Sequence, residues 1–159
     1  MQLDHIDSAL KDGCHLVGFC PATKLRVVRV LRSRVEVGYG EHPHIQDALS
    51  HLNEDIAAGG RDYDEVYGKI KPCYITGSLE ASSTLDDWLI QDERIYARGR
   101  RGGGIIFSLR RYDGRVYASG VGPTFDEAMR VAVENSIRRS DAEAEEWRRL
   151  NPQEIGEVV

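Results

Sequence analysis

Cysteine, proline and long hydrophobic runs are all scarce in this sequence of 159 residues. Its 3 cysteines and 5 prolines are too few for a disulfide-rich scaffold or a proline-rich disordered chain. No run approaches the roughly 18 apolar residues of a membrane-spanning helix, and the charged start MQLDHIDSALKDG is unlike a signal peptide. We therefore expect a cytoplasmic protein without membrane contact, with one domain over residues 1–150 and a polar C-terminal tail over residues 151–159.

Lysine is also scarce, because four of the 21 basic residues are lysine and the others are arginine. The net charge of −5 argues against a protein that coats DNA through many phosphate contacts. The charge is unevenly distributed: residues 41–65 and 80–93 are strongly acidic, whereas residues 94–115 hold seven arginines and one aspartate. Since arginine binds phosphate and carboxylate groups through two parallel hydrogen bonds, this basic segment is a candidate anion site.

The N-terminal half predicts a short helix over residues 3–12, followed by extended runs over residues 14–20 and 25–40. The second run is either one long strand or a hairpin that turns at residues 32–34. In both cases Arg29 lies in a row of apolar side chains, where a charge must be paired or face a ligand.

The middle of the chain predicts a helix over residues 43–58, with Pro43 at its first position and a glycine pair as its end. A short strand is expected around residues 73–76. Ser83 or Thr84 is expected to cap a short helix that follows this strand.

The C-terminal third carries the clearest local patterns. Residues 105–111 and 116–121 predict two strands joined at an Asp-Gly turn. Thr124 and Glu127 form a capping-box pattern at the start of a helix that is expected to reach Leu150. With no internal repeat evident, the order of elements predicts a single α+β domain, an antiparallel β-sheet with helices packed on it.

The segment 103–137 resembles two families. Gly122, Thr124, Glu127 and Ala128 match the G-x-T-x-x-E-A helix start of HicB-type antitoxins. The same succession of strands and helix is similar to the small ABA-sandwich domains of phage and prophage proteins. The resemblance implies a short sheet packed against helices, and a protein that works in the cytosol of a bacterial host.

The segment 98–104, RGRRGGG, is the main candidate binding site. Glycines allow backbone N–H groups to face an anion, and arginine side chains bind the same oxygens. Because the segment lies between two predicted strands, it is not a phosphate-binding loop that opens a helix. A tyrosine on the preceding strand offers a ring for stacking, and an arginine from another strand is expected to complete the site. The candidate ligand-binding residues are Arg29, Tyr96, Arg98, Arg100, Arg101, Gly102, Gly103 and Gly104.

Metal, cofactor and catalytic sites are not indicated by the sequence. The spacing of Cys14 and Cys20 is not that of a zinc site, and an odd number of cysteines, with Cys73 the third, is typical of buried free thiols. Cys14 and His15 are neighbours on a strand, so they point to opposite faces and cannot activate each other. We expect no metal and no cofactor, and an enzyme is the third interpretation.

The first interpretation is a small non-enzymatic binding protein that captures a phosphate-bearing ligand, a nucleotide signal or a nucleic acid, through the Arg/Gly-rich loop. The resemblance makes a phage-encoded anti-defence role attractive. The alternative is an antitoxin or immunity protein whose acidic helices cover a cationic bacterial protein. The end of the last helix has two alternative interpretations: Ala144, Trp147 and Leu150 pack against a second copy in a homo-oligomer, or Trp147 folds back onto the sheet. The acidic surface of the alternative comprises Asp47, Glu54, Asp55, Asp86, Asp87 and Glu93.

Overall fold

The computed structural model describes residues 3–59 and 79–152. Along the chain, two groups of three antiparallel strands are each preceded and followed by a helix. The strands are β1 (His15–Phe19), β2 (Arg26–Arg32), β3 (Val35–His42), β4 (Arg94–Gly99), β5 (Ile105–Arg110) and β6 (Val116–Gly122). The helices are α1 (Asp4–Lys11), α2 (Ile45–Ala57), α3 (Leu79–Ile90) and α4 (Phe125–Leu150).

One antiparallel sheet holds the six strands in the order β3-β2-β1-β4-β5-β6. The four helices pack on one face of this sheet and bury its apolar side chains, among them Leu16, Val28, Ile95 and Phe107. On the opposite face, most side chains of β1, β4 and β5 are half-buried or exposed. The predicted α+β fold, with helices on an antiparallel sheet, is therefore confirmed. Within the described residues, no helix is both long and apolar enough to cross a membrane.

The sheet is built from two units of the same design. The first unit (α1, β1, β2, β3, α2) and the second unit (α3, β4, β5, β6, α4) share their order of elements and meet where β1 pairs with β4. Residues 4–32 correspond to residues 83–111, and residues 35–57 correspond to residues 115–137, because the β5–β6 turn is one residue longer. The expectation of no internal repeat was wrong. The repeat is hard to see in the sequence because few corresponding positions hold the same residue. These are Asp7/Asp86, Leu10/Leu89, Arg32/Arg111, Gly40/Gly120, Pro43/Pro123, Ala48/Ala128 and Glu54/Glu134.

Each unit supplies a carboxylate to the long helix of the other. Asp7 in α1 accepts a hydrogen bond from the amide of Phe125, the first residue of α4, at 2.6 Å. Asp86 in α3 accepts one from the amide of Ile45, the first residue of α2, at 2.7 Å. Amides in the first turn of a helix have no partner within the helix, so this reciprocal capping stabilises both helices and joins the two units.

Glycines bring the long helices close to the outer strands. A methyl group at Gly40 would overlap the carbonyl oxygen of Ala48 in α2, and one at Gly120 would overlap the amide nitrogen of Ala132 in α4. Backbone contact of this kind requires a residue without a side chain. The two units therefore use glycine at corresponding positions for the same packing contact.

Several predicted boundaries differ from the structure. The run over residues 25–40 is a hairpin, and its turn at Ser33 and Arg34 has φ angles of 47° and 71°, which a continuous strand does not allow. Helix α2 begins at Ile45, not at Pro43, because Asp86 caps it there. Helix α3 begins at Leu79, so Ser83 and Thr84 lie inside it and do not cap it. The strand expected around residues 73–76 lies outside the described residues.

The predictions that rested on local patterns are confirmed. The short helix near the N-terminus forms as α1, and the Asp-Gly turn joins β5 to β6. The Thr124 hydroxyl accepts a hydrogen bond from the amide of Glu127 at 3.2 Å, which caps α4. Helix α4 continues to Leu150, as the capping-box pattern and the polar extension predicted.

Candidate anion-binding groove

A concave groove of about 760 Å³ lies at the end of the sheet where β4 turns into β5. The end of α1 and the start of β1 form one wall, and the end of β4 with the β4–β5 turn forms the other. The amides of residues 12–14 hydrogen-bond to the carbonyl oxygens of the last turn of α1, which satisfies that helix end. The lining residues are Leu10, Lys11, Gly13, Cys14, His15, Tyr96, Arg98, Gly99, Arg100, Arg101, Gly103 and Gly104.

Glycine allows the β4–β5 turn to close tightly. Gly102, Gly103 and Gly104 have φ angles of 93°, 112° and 80°, a region that other residues rarely adopt. The amide of Gly103 donates to the carbonyl of Arg100 at 3.0 Å, and the amide of Arg100 donates to the carbonyl of Gly104 at 2.9 Å. The expectation that all three glycine amides face an anion is therefore wrong for Gly103, whose N–H closes the turn. Gly102 belongs to the turn but does not line the groove.

All charged side chains that line the groove are cations. They are Lys11, Arg98, Arg100 and Arg101, and no carboxylate lies among the lining residues. Within the described residues, none of the four forms an ion pair or a side-chain hydrogen bond. By contrast, Arg32 close by binds Asp12 at 2.6 Å. Three unpaired arginines together with Lys11, whose charge also acts on Asp7, create a positive potential around one concave surface that attracts anions.

Two aromatic rings lie beside these cations. The rings of His15 and Tyr96 are 5.7 Å apart and tilted by 31°. The guanidinium carbon of Arg110 lies 4.3 Å from the centre of the Tyr96 ring, within the range of a cation–π contact. Tyr96 is therefore held in place at the border between the groove and the open face of the sheet.

Of the predicted site residues, Tyr96, Arg98, Arg100, Arg101, Gly103 and Gly104 come together, but Arg29 does not join them. Arg29 lies on β2 and its guanidinium binds the Glu36 carboxylate at 2.9 Å. The expectation that Arg29 completes the groove is thus corrected, because a carboxylate on the neighbouring strand already neutralises it. The requirement that a charge in this apolar row be paired is confirmed.

The groove also contains residues that the sequence did not indicate. Lys11 and His15 precede Arg98 by more than eighty positions and reach the groove because His15 of β1 pairs with Arg98 of β4. No local pattern around either residue predicts this pairing. The few identities between the two units also conceal the repeat to which β1 and β4 belong.

The first unit shows that the fold does not require this chemistry. At the positions that correspond to Arg98, Arg100 and Arg101, it has Phe19, Pro21 and Ala22. The same framework thus accommodates a loop that has one lysine, Lys24, and no arginine. The arginine cluster is a property of one unit, which indicates a role other than stabilising the fold.

The acidic residues of the alternative interpretation do not form a continuous surface. Asp55 is 1% exposed and accepts a hydrogen bond from the amide of Tyr39 at 2.8 Å. Asp47 is 8% exposed and lies 3.4 Å from His42. Asp86 caps α2, and Glu93 is mostly buried near an arginine of the same unit. Burial raises the pKa of Asp55 and of Asp86. Of the six residues in the expected acidic surface, Glu54 and Asp87 are therefore the two that are exposed.

Histidines and cysteines do not assemble into a metal site in the part of the chain that the structure describes. The rings of His42, His44 and His51 lie near one another, with centres 5.8 Å and 5.6 Å from His42. Burial lowers the pKa of His42. Cys14 and Cys20 are free and buried, as predicted, and Cys73 lies outside the described residues.

Comparison with known proteins finds no family model, no curated protein and no solved structure that matches this chain.

Proposed function

We propose that the chain is a non-enzymatic binding protein that captures a phosphate-bearing ligand, a nucleotide or a nucleic acid, in the groove. The observation that carries the proposal is the cluster formed by Lys11, Arg98, Arg100 and Arg101, which lines a concave surface without a carboxylate. Unpaired cations cost stability through mutual repulsion. A bound anion would remove that cost, because phosphate oxygens accept hydrogen bonds from several guanidinium groups at once.

The shape of the groove supports a ligand that has both a phosphate and an aromatic ring. Its volume of about 760 Å³ falls within the usual range for small-molecule sites. The arginines would neutralise phosphate oxygens, while Tyr96 and His15 offer ring surfaces for a base. An anion without a base would contact the arginines and leave the two rings unused. A role in phage anti-defence, in which a nucleotide signal is sequestered in the cytosol of a bacterial host, is the context that the resemblance of residues 103–137 suggests.

Thermal unfolding in the presence of cyclic nucleotides, linear nucleotides and short oligonucleotides tests this function. A ligand at 100 times its dissociation constant should add about 2.7 kcal/mol to the free energy of unfolding, which raises the Tm of a chain of this size by several degrees. The double variant Arg100→Glu with Arg101→Glu should lose the shift and keep its Tm without ligand, because exposed loop side chains contribute little to stability.

A matched control exists on α4. Arg138 and Arg148 are exposed and have no ion pair among the described residues, so changing both to glutamate alters the net charge equally but leaves the groove intact. This control should keep the ligand-induced shift. A panel without any shift, or equal losses in both double variants, contradicts the proposal. A shift that only a basic protein partner produces supports the antitoxin alternative instead.

A further inference from the structure

We propose that the ligand of the groove is single-stranded nucleic acid, and that the strand continues from the groove onto the open face of the sheet. This inference rests on the proposed function and names its ligand class. It begins from the placement of the four described helices, which cover the other face. No described helix covers the opposite face of β1, β4 and β5, where Arg98 is exposed, Ser108 is buried and the other outward side chains are half-buried. Tyr96 lies at the border between this face and the groove.

Rings and guanidinium groups alternate on this open face. Arg110 stacks on Tyr96 at 4.3 Å, and Arg94 lies 5.8 Å from the centre of the Phe19 ring. Each guanidinium lies on a strand adjacent to its ring. Aromatic side chains interleaved with arginines bind single-stranded nucleic acid, because rings stack on bases and cations hold the backbone.

The charge of the face fits a polyanion at Arg98 and Arg110, because Arg94 is already paired with the Asp92 carboxylate at 3.2 Å. The outward side chains of the three strands contain no carboxylate: His15, Val17 and Phe19 on β1, Arg94, Tyr96 and Arg98 on β4, and Ile106, Ser108 and Arg110 on β5.

Arg110 is a cation of this face, half-buried with its guanidinium over the Tyr96 ring at 4.3 Å. It forms no ion pair among the described residues, so its charge can attract a phosphate group. The carboxylates of Glu36 and Glu41 on β3 would repel a polyanion at that edge of the sheet. On β2, which lies between β3 and β1, Arg29 is already paired with Glu36, so the proposed path runs over β1, β4 and β5.

Distance distinguishes a strand from a mononucleotide. The groove lies near Arg98, and Phe19 lies near Arg94, four residues away on β4 or about 13 Å at the usual rise of a strand. A mononucleotide has one base and can stack on one of the two rings, whereas a short strand places a base at each of them. A duplex would hide the base surfaces that the rings are placed to meet.

Fluorescence anisotropy with a labelled twelve-residue oligothymidylate tests the path, with ATP and a twelve-base-pair duplex as competitors. We expect the oligothymidylate to bind at least tenfold more tightly than ATP and more tightly than the duplex. Phe19→Ala should weaken oligonucleotide binding roughly 5- to 150-fold, the range for loss of one stacked base, and leave ATP binding unchanged. Phe19→Tyr should retain the affinity, because it keeps the ring.

The matched control is Tyr112→Ala, which removes a ring that is 73% exposed in the β5–β6 turn, away from the face. It should not change oligonucleotide affinity. If neither ATP nor the oligonucleotide binds, the proposed function itself fails. If ATP binds as tightly as the oligonucleotide and Phe19→Ala changes neither, the groove holds a mononucleotide and this inference fails alone. Tighter binding of the duplex overturns it as well.

Discussion

Asp7 shows how a single buried carboxylate organises a helix 118 residues away in sequence. Its oxygen satisfies the amide of Phe125, one of the helix-start amides that otherwise lack a partner. Burial nevertheless raises the pKa of Asp7 above its usual value, because desolvation penalises the charged form more than the hydrogen bond favours it. The acceptor oxygen of Asp7 therefore stabilises the folded state, whereas its negative charge destabilises it.

Replacement of Asp7 separates these two effects. Asp7→Ala removes the acceptor and should lower the free energy of unfolding by about 1–3 kcal/mol. Asp7→Asn keeps an oxygen at the same position, so its stability at neutral pH should be equal to or above that of the original protein. Urea denaturation measures both variants, and equal destabilisation by both would contradict the assignment of the hydrogen bond.

The pH dependence of the Asp7→Asn effect follows from the sign of the pKa shift. A raised pKa in the folded state means that, above pH 3.8, the folded chain retains a proton that the unfolded chain releases. The contribution of Asp7 to stability therefore declines as the pH rises through the raised pKa. The advantage of Asp7→Asn should grow between about pH 4 and pH 7 in urea denaturation. A difference that is independent of pH would mean that the carboxyl is not perturbed.

At the scale of elements, the contact between each long helix and its outer strand depends on glycine. Gly120 lies under α4, where an added methyl group would overlap the backbone at Ala132 and Ala128. Gly40 has the corresponding place under α2. Because backbone atoms cannot move aside as flexible side chains do, these positions are intolerant of any larger residue.

Gly120→Ala should therefore lower the free energy of unfolding by about 2 kcal/mol or more, since α4 must shift away from the sheet. Thermal and urea denaturation provide the measurement. Ser119→Ala, one position earlier on the same strand, is the control, because the Ser119 contact with Asn135 uses the backbone carbonyl. A stable Gly120→Ala variant would show that the helix lies farther from the strand.

The elements that the sequence predicted well are those with short-range patterns. The Asp-Gly turn between β5 and β6 and the Thr124 cap of α4 each depend on a few neighbouring residues. The start of α2 was predicted two residues too early, because its cap is Asp86, which lies 41 residues away. A cap from a distant element leaves no pattern at the helix itself.

The residues of the candidate site likewise divide into those that a short-range sequence pattern predicted and those that it did not. Arg98, Arg100 and Arg101 were recognisable because they cluster in sequence among glycines. Lys11 and His15 were not, since the pairing of β1 with β4 brings them there. Binding of a phosphate-bearing ligand in the assembled groove stays a prediction.

At the scale of the whole molecule, the two units depend on each other. They share the β1–β4 pairing at the centre of the sheet, and each holds the capping carboxylate of the other's long helix. We expect neither a fragment of residues 1–59 nor a fragment of residues 79–159 to fold alone. An equimolar mixture should recover the circular dichroism spectrum and the cooperative melting of the full chain. A folded monomeric fragment would refute this dependence.

The reciprocal capping of the long helices limits how the sequence can evolve. A substitution of Asp7 removes the cap of α4, and a substitution of Asp86 removes the cap of α2. A change in either unit therefore destabilises a helix of the other unit. A shortened descendant that kept one half would need a second copy of itself to restore the missing partner. Loss of either unit is therefore disfavoured. The loops take no part in the reciprocal capping, so their sequences can diverge, as the contrast between Arg100 and Pro21 illustrates.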